Sequence, residues 1–171
     1  MLSQTDTGRN DLAEAAIALF ARGLDQLVAA RADEGSKLQS IVRDALQDVS
    51  AQLQQLEPLA QSLPAMQRQK LQDRVDELTT KIEPERLAQE AVLLAQKADI
   101  REELDRLRIH VTQSLDLING QGHHGRRLDF LTQELNREAN TLGAKSVCAE
   151  TSAASIELKV IIEQIREQVQ N

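Results

Sequence analysis

Residues 85–119 read ERLAQEAVLLAQKADIREELDRLRIHVTQSLDLIN. Leu87, Ala91, Leu94, Ala98, Leu104, Leu107, Val111, Leu115 and Ile118 recur at helical spacing through this stretch, with charged residues filling the other faces. Pro84 stands just ahead of it, where a missing N–H costs a helix nothing. Asn119-Gly120 closes it with a residue pair that ends helices. The spacing predicts one long helix from Pro84 to Ile118.

Working outward, the same period continues on both sides. Downstream, Gly120-Gln121-Gly122-His123-His124-Gly125 is the clearest loop in the chain. After it, Leu128, Leu131, Leu135, Leu142, Ala149, Ala153, Ile156 and Val160 fall near multiples of 3.5 residues, the spacing of a helical hairpin or coiled-coil seam. Gly143 leaves open whether this is one helix or two. Upstream, Met66, Leu71, Val75 and Leu78 predict a shorter helix over 65–82. Pro58 and Pro64 are expected to bracket the connection before it, because proline lacks the N–H and clashes inside a helix. Before that, Leu12, Ala16, Leu19, Leu24, Leu27 and Val28, and then Leu38 to Leu56, predict one long helix running through Gly35. Asn10 or Asp11 is its expected N-cap, after a frayed polar start over residues 1–9. Residues 1–84 thus read as an N-terminal segment of a long and a shorter helix, and 85–171 as a C-terminal helical hairpin.

Composition agrees with an all-α fold. The 171 residues hold two Phe and no Trp or Tyr, too few aromatics for a strand-rich domain. Long antiparallel helices with narrow apolar seams predict a hairpin or coiled-coil-like bundle completed by oligomerisation. No apolar run approaches a membrane span, and the first residues lack a signal-peptide pattern. The single cysteine, Cys148, has no internal partner, so a cytoplasmic location is expected. The net charge is −7. The acidity is even, with 9 basic and 13 acidic residues up to Pro84 and 11 and 14 beyond it. That excludes a general basic nucleic-acid coat but leaves room for a local basic site. There is no Walker loop, no GxGxxG and no zinc spacing, so neither a nucleotide cofactor nor a structural zinc is expected.

Two constellations carry potential chemistry. Helical geometry sets Glu134, Arg137, Glu138, Thr141 and Lys145 on one stripe, and Asp129, Gln133, Asn136 and Asn140 on another. Carboxylates beside cations and amides suit a divalent metal and a phosphodiester. Upstream, Asp99, Glu102, Glu103, Asp105, Arg106 and His110 cluster, with carboxylates and an imidazole that suit a metal or acid–base pair. Spacing alone favours ordinary solvated helix faces in both cases. From Gly120 to Ser146 four cations outnumber three carboxylates. Arg126 and Arg127, following His123-His124, could grip a phosphate there.

The stretch GRRLDFLTQELNREANTLGAKS, residues 125–146, is followed by IELKVIIEQIREQVQN from Ile156. Together they resemble the C-terminal region of the YicC/YloC family. The upstream ERLAQEAVLLAQKADIREELDRLRIH and LVAARADEGSKL segments resemble its preceding helices. Members are bacterial, cytoplasmic, hexameric, divalent-metal-dependent endoribonucleases acting on single-stranded RNA. The resemblance therefore implies an endoribonuclease using Mn²⁺ or Mg²⁺, with no membrane partner. Onto this chain it implies Glu134, Glu138, His110 and Asn136 as catalytic residues. Arg126, Arg127, Arg137, Lys145 and Asn140 become RNA contacts, and Glu102, Glu103, Asp105 and Asp129 metal groups. Members begin with a mixed αβ domain that nothing here matches. If RNA capture needs that domain, this chain folds without cleaving. The rival expectation is a non-catalytic helical oligomerisation or adaptor module in RNA turnover.

Overall fold

The computed structural model describes residues 3–77, 83–120, 122 and 124–170. They form five helices: α1 Ser3–Asp76, α2 Pro84–Lys97, α3 Arg101–Asn119, α4 Gly125–Ala144 and α5 Ala149–Gln170. Among the described residues there is no strand, as the composition predicts. No described helix is long and apolar enough to cross a membrane. The chain divides into two units, Met1–Ser40 and Ile41–Asn171.

In the first unit α1 is already helical at Ser3, so neither Asn10 nor Asp11 caps it. Gly35 lies inside the helix, as its carried-through phase predicts. The expected inward positions Leu12, Leu19, Leu24, Leu27 and Val28 are all exposed.

The second unit is built on a core of α1, α3, α4 and α5. Val42, Leu46, Val49, Leu53 and Leu56 pack with Leu104, Leu107, Val111, Leu135 and Leu158 in one buried cluster. Arg43 reaches Asn119 at 2.8 Å, while Arg108 pairs with Glu57. Rising numbers on α1 therefore meet falling numbers on α3, so the two run antiparallel.

The expectations for the prolines and for the helix after them fail here. Pro58 and Pro64 lie inside α1 rather than bracketing a connection. Each lacks an N–H and strains the preceding turn, at about 3 kcal/mol. Leu56, Ala60 and Leu63, all in the buried core around them, offset that loss at about 1.5–3 kcal/mol for each large side chain. The predicted 65–82 helix is instead the end of α1. Met66 on it is exposed, and Leu78 to Ile82 lie outside the described residues.

The long helix expected from Pro84 breaks at Ala98–Ile100. The Asp99 carboxylate accepts the Arg101 backbone N–H at 3.1 Å, a local bond that competes with helix continuation. Ala98 and Ile100, fully buried, anchor the corner on either side.

The seam after the loop also breaks, over residues 145–148, between α4 and α5. Thr151 Oγ1 donates to the Cys148 carbonyl at 3.1 Å where α5 starts. The break resets the phase. Ala149, Ala153, Ile156 and Val160 are exposed, and Thr151, Ala154, Ser155, Leu158, Ile162 and Ile165 are buried instead. Gly143, inside α4, marks a close crossing: a Cβ there would lie 2.5 Å from Ser155 Oγ, which donates to the Ala139 carbonyl at 3.0 Å. Of the loop, Gly120 and the left-handed Gly122 are described, while Gln121 and His123 lie outside the described residues.

Candidate functional site

Helix α4 runs back along α3. Its buried face carries Leu131, Leu135, Ala139 and Leu142, and the α3 face carries Leu104, Leu107 and Val111. Polar residues flank this apolar seam in a fixed order. Lys145 Nζ lies 2.8 Å from Glu103 Oε1 and donates to the Asp99 carbonyl at 3.1 Å. One turn along α3, Arg106 reaches Glu138 at 3.5 Å and Glu102 at 2.5 Å. A further turn brings His110 against Glu134 and Glu138.

Those three residues are the one candidate metal-holding group among the described residues. One ligand atom from each lies within 4.8 Å of the others. Glu138 is 4% exposed, while His110 and Glu134 are half-buried. His110 Nδ1 is buried, with no hydrogen-bond partner among the described residues. An unsatisfied buried polar atom is costly, and a cation or a water held beside it would satisfy this one. Two carboxylates and an imidazole are a donor set suited to a first-row divalent ion such as Mn²⁺. Local geometry explains the pair on α4, since Glu134 and Glu138 are one turn apart and share a face. The register of α3 on α4 brings in the histidine.

The other residues singled out in the sequence fall elsewhere. The expected metal groups are not brought together. Glu102 is taken by Arg106, Glu103 by Lys145 and Asp105 by Arg108 at 2.8 Å. Asp129 accepts from Gln133 at 3.0 Å and from Gln170 of α5 at 2.9 Å. Lys145, expected on RNA, faces Glu103 instead; its N–H still donates to the Thr141 carbonyl at 3.0 Å, so it continues the α4 stripe towards the start of α3. Arg137 is exposed and lies 3.7 Å from Glu134. Asn140 donates to Asn136 at 3.0 Å along α4. Arg126 and Arg127 are exposed in the first turn of α4, at the positive end of the helix dipole.

Beside the cluster, a cleft of about 600 Å³ is lined by Asp99, Arg101, Glu102, Asp105, Arg106 and Lys145, with Gln96 and Ile109. It shares Arg106 with the Glu138 contact. Arg101 grips Asp99 through its side chain at 2.9 and 3.1 Å, and this guanidinium holds the Asp99 carboxyl down to about 2. The sequence reading passed over that pair. Its only signal is an arginine two residues beyond an aspartate.

Residues 56–171 match the family model described as endoribonuclease YicC-like, C-terminal. The chain is 41% identical over 148 residues to the probable endoribonuclease YicC of Haemophilus influenzae, covering 86% of this chain and 52% of that protein. It is 36% identical over 144 residues to the probable endoribonuclease YicC of Clostridioides difficile, covering 82% of this chain and 49% of that protein. The chain thus spans about half the length of these curated relatives. It belongs to the YicC-like endoribonuclease family and carries that family's C-terminal domain.

Proposed function

We propose that this chain provides the metal centre of an endoribonuclease that cleaves single-stranded RNA, with His110, Glu134 and Glu138 as the ligands. The observation that carries the reading is the convergence of these three side chains within 4.8 Å, two of them on α4 and one on α3. A divalent cation bound there supplies Lewis acidity towards a phosphodiester and neutralises charge that builds on it.

The protein's own groups bind and orient. Arg106 faces Glu138 and restrains its carboxylate. Glu134 from α4 and His110 from α3 complete the donor set. Arg137, Arg126 and Arg127 are exposed cations on the same helix and would position the RNA backbone. Asn136 and Asn140 add amide groups along α4. Lys145 is already committed to Glu103 and is a structural cation in this reading. Glu102, Glu103, Asp105 and Asp129 likewise serve ion pairs and hydrogen bonds rather than the metal. Assembly with further copies, six by family resemblance, would gather several such centres around one RNA.

The test has two parts. Mn²⁺ binding to the purified chain is measured by electron paramagnetic resonance, with and without Glu138→Gln. Cleavage of labelled single-stranded RNA, with Mn²⁺ or with EDTA, is measured for the chain and for a full-length relative carrying the matching change. Loss of a ligand is expected to weaken Mn²⁺ binding by about tenfold or more and to abolish cleavage. Unchanged Mn²⁺ binding in Glu138→Gln would overturn the assignment. Metal binding without cleavage by this chain would favour the helical assembly module, a reading that the acidic balance of −7 also supports.

A further inference from the structure

No residue from Asp11 to Ser40 is buried. Ile17, Phe20, Leu24 and Leu27 stand 68, 75, 51 and 54% exposed. Their alternating steps of three and four residues are those of the a and d positions of a coiled coil. Leu12 and Leu19 lie outside this seam. Continued forward, the same positions are taken by Arg31 and Glu34. A parallel in-register pair would set Arg31 against Arg31 and Glu34 against Glu34, which like-charge repulsion disfavours.

An antiparallel pair with its two-fold axis beside Arg22 avoids both clashes. It sets Ile17 against Leu27 and Phe20 against Leu24 of the second copy, four apolar layers in all. The positions flanking these layers are small on one side, Ala16, Gly23 and Ala30, with Ala21 and Val28 on the other. Gly23 is the telling residue. No described residue of its own chain lies within 4 Å of where a Cβ would stand, yet glycine weakens a helix interior by about 1 kcal/mol relative to alanine. In the antiparallel pair Gly23 faces Gly23 across the axis and Ala16 faces Ala30. The two backbones can then approach closely, and the Phe20 rings find room.

The ends of the seam are complementary in charge. Arg31 comes beside Glu14 of the second copy, and the symmetry repeats this contact at the other end. Neither residue has an ion pair within the chain among the described residues, whereas nearby Lys37 and Asp33 satisfy each other at 2.7 Å.

We propose that residues 14–31 are a self-association surface, covered by the same segment of a second copy in antiparallel orientation. Sedimentation velocity of the full chain over a concentration series tests this, alongside three variants. Gly23→Leu raises helix propensity but fills the close approach from both copies, so the dimer dissociation constant should rise about 100-fold. Arg31→Glu should weaken the dimer by up to about tenfold, and adding Glu14→Arg should restore it. A nitroxide at Ala32→Cys, in a Cys148→Ser background, reads orientation. Antiparallel pairing separates the two labels by about 30 Å at 1.5 Å rise per residue, and parallel pairing holds them within about 20 Å. A monomer at every concentration, association indifferent to Gly23→Leu, or the short distance would each overturn the proposal. The stripe would then have another occupant, and the half of the relatives that this chain does not span would be the first to supply in trans.

Discussion

At the residue scale the ion pairs around the start of α3 differ in kind. Glu103 is 3% exposed and pairs with Lys145; its second oxygen is buried, with no partner among the described residues. Removing one member of a buried pair strands the other charge. Lys145→Met should therefore destabilise the chain by about 3 kcal/mol, and the double change with Glu103→Leu should recover most of it. Urea denaturation of the three proteins measures this. Asp99 and Arg101 form the contrasting, solvent-facing pair. The Asp99 carboxyl is lowered from 3.8 to about 2 by the Arg101 guanidinium. Its folded value lies below its unfolded value, so its stabilisation is complete above pH 3.8 and is lost as pH falls through about 2. The stability gap between the native chain and Asp99→Asn should close across that window, read from acid titrations of unfolding. The exposure of the pair keeps the effect small.

At the scale of elements, the α4–α5 crossing depends on one glycine. A Cβ at Gly143 would stand 2.5 Å from Ser155 Oγ. Gly143→Ala gains about 1 kcal/mol of helix propensity but forces the serine aside or the helices apart, at about 1–3 kcal/mol. The net expectation is a lower melting temperature. Adding Ser155→Ala removes the clashing hydroxyl and leaves the Ser155 Cβ 3.5 Å away, an ordinary contact. The double variant should melt above the single one, a coupling that thermal denaturation resolves. The α3–α4 pair is held differently, by apolar layers with Lys145–Glu103 near one end and the His110 cluster farther along. Its register places His110 beside Glu134 and Glu138.

At the scale of the whole molecule, a cation bound to His110, Glu134 and Glu138 would tie α3 to α4 and bind the folded state alone. Mn²⁺ at about 100 times its dissociation constant should add about 2.7 kcal/mol of stability. Chelation should remove it, and Glu138→Gln should show little of it; calorimetry with Mn²⁺ or EDTA checks this.

The helical class was legible throughout, because Leu104, Leu107 and Val111, or Leu131 and Leu135, repeat at a period that only a helix turns to one side. Glu134 and Glu138 were legible as neighbours for the same reason. Three features were not. Pro58 and Pro64 carry a local signal to stop, which burial of Leu56, Ala60 and Leu63 against other helices outweighs. The breaks at Ala98–Ile100 and 145–148 are made by side-chain bonds and burial that periodicity does not show, so the α5 face could not be phased from the α4 face. The partners of Lys145, Glu103 and His110 lie on different helices.

Sequence alone determined the class, the apolar faces of α3 and α4 and the family, since these follow from local periodicity and residue order. Tertiary structure decided which carboxylates meet a histidine and which meet a cation. That outcome depends on how far one helix slides along another, a distance set by packing across the core and carried by no local run of residues.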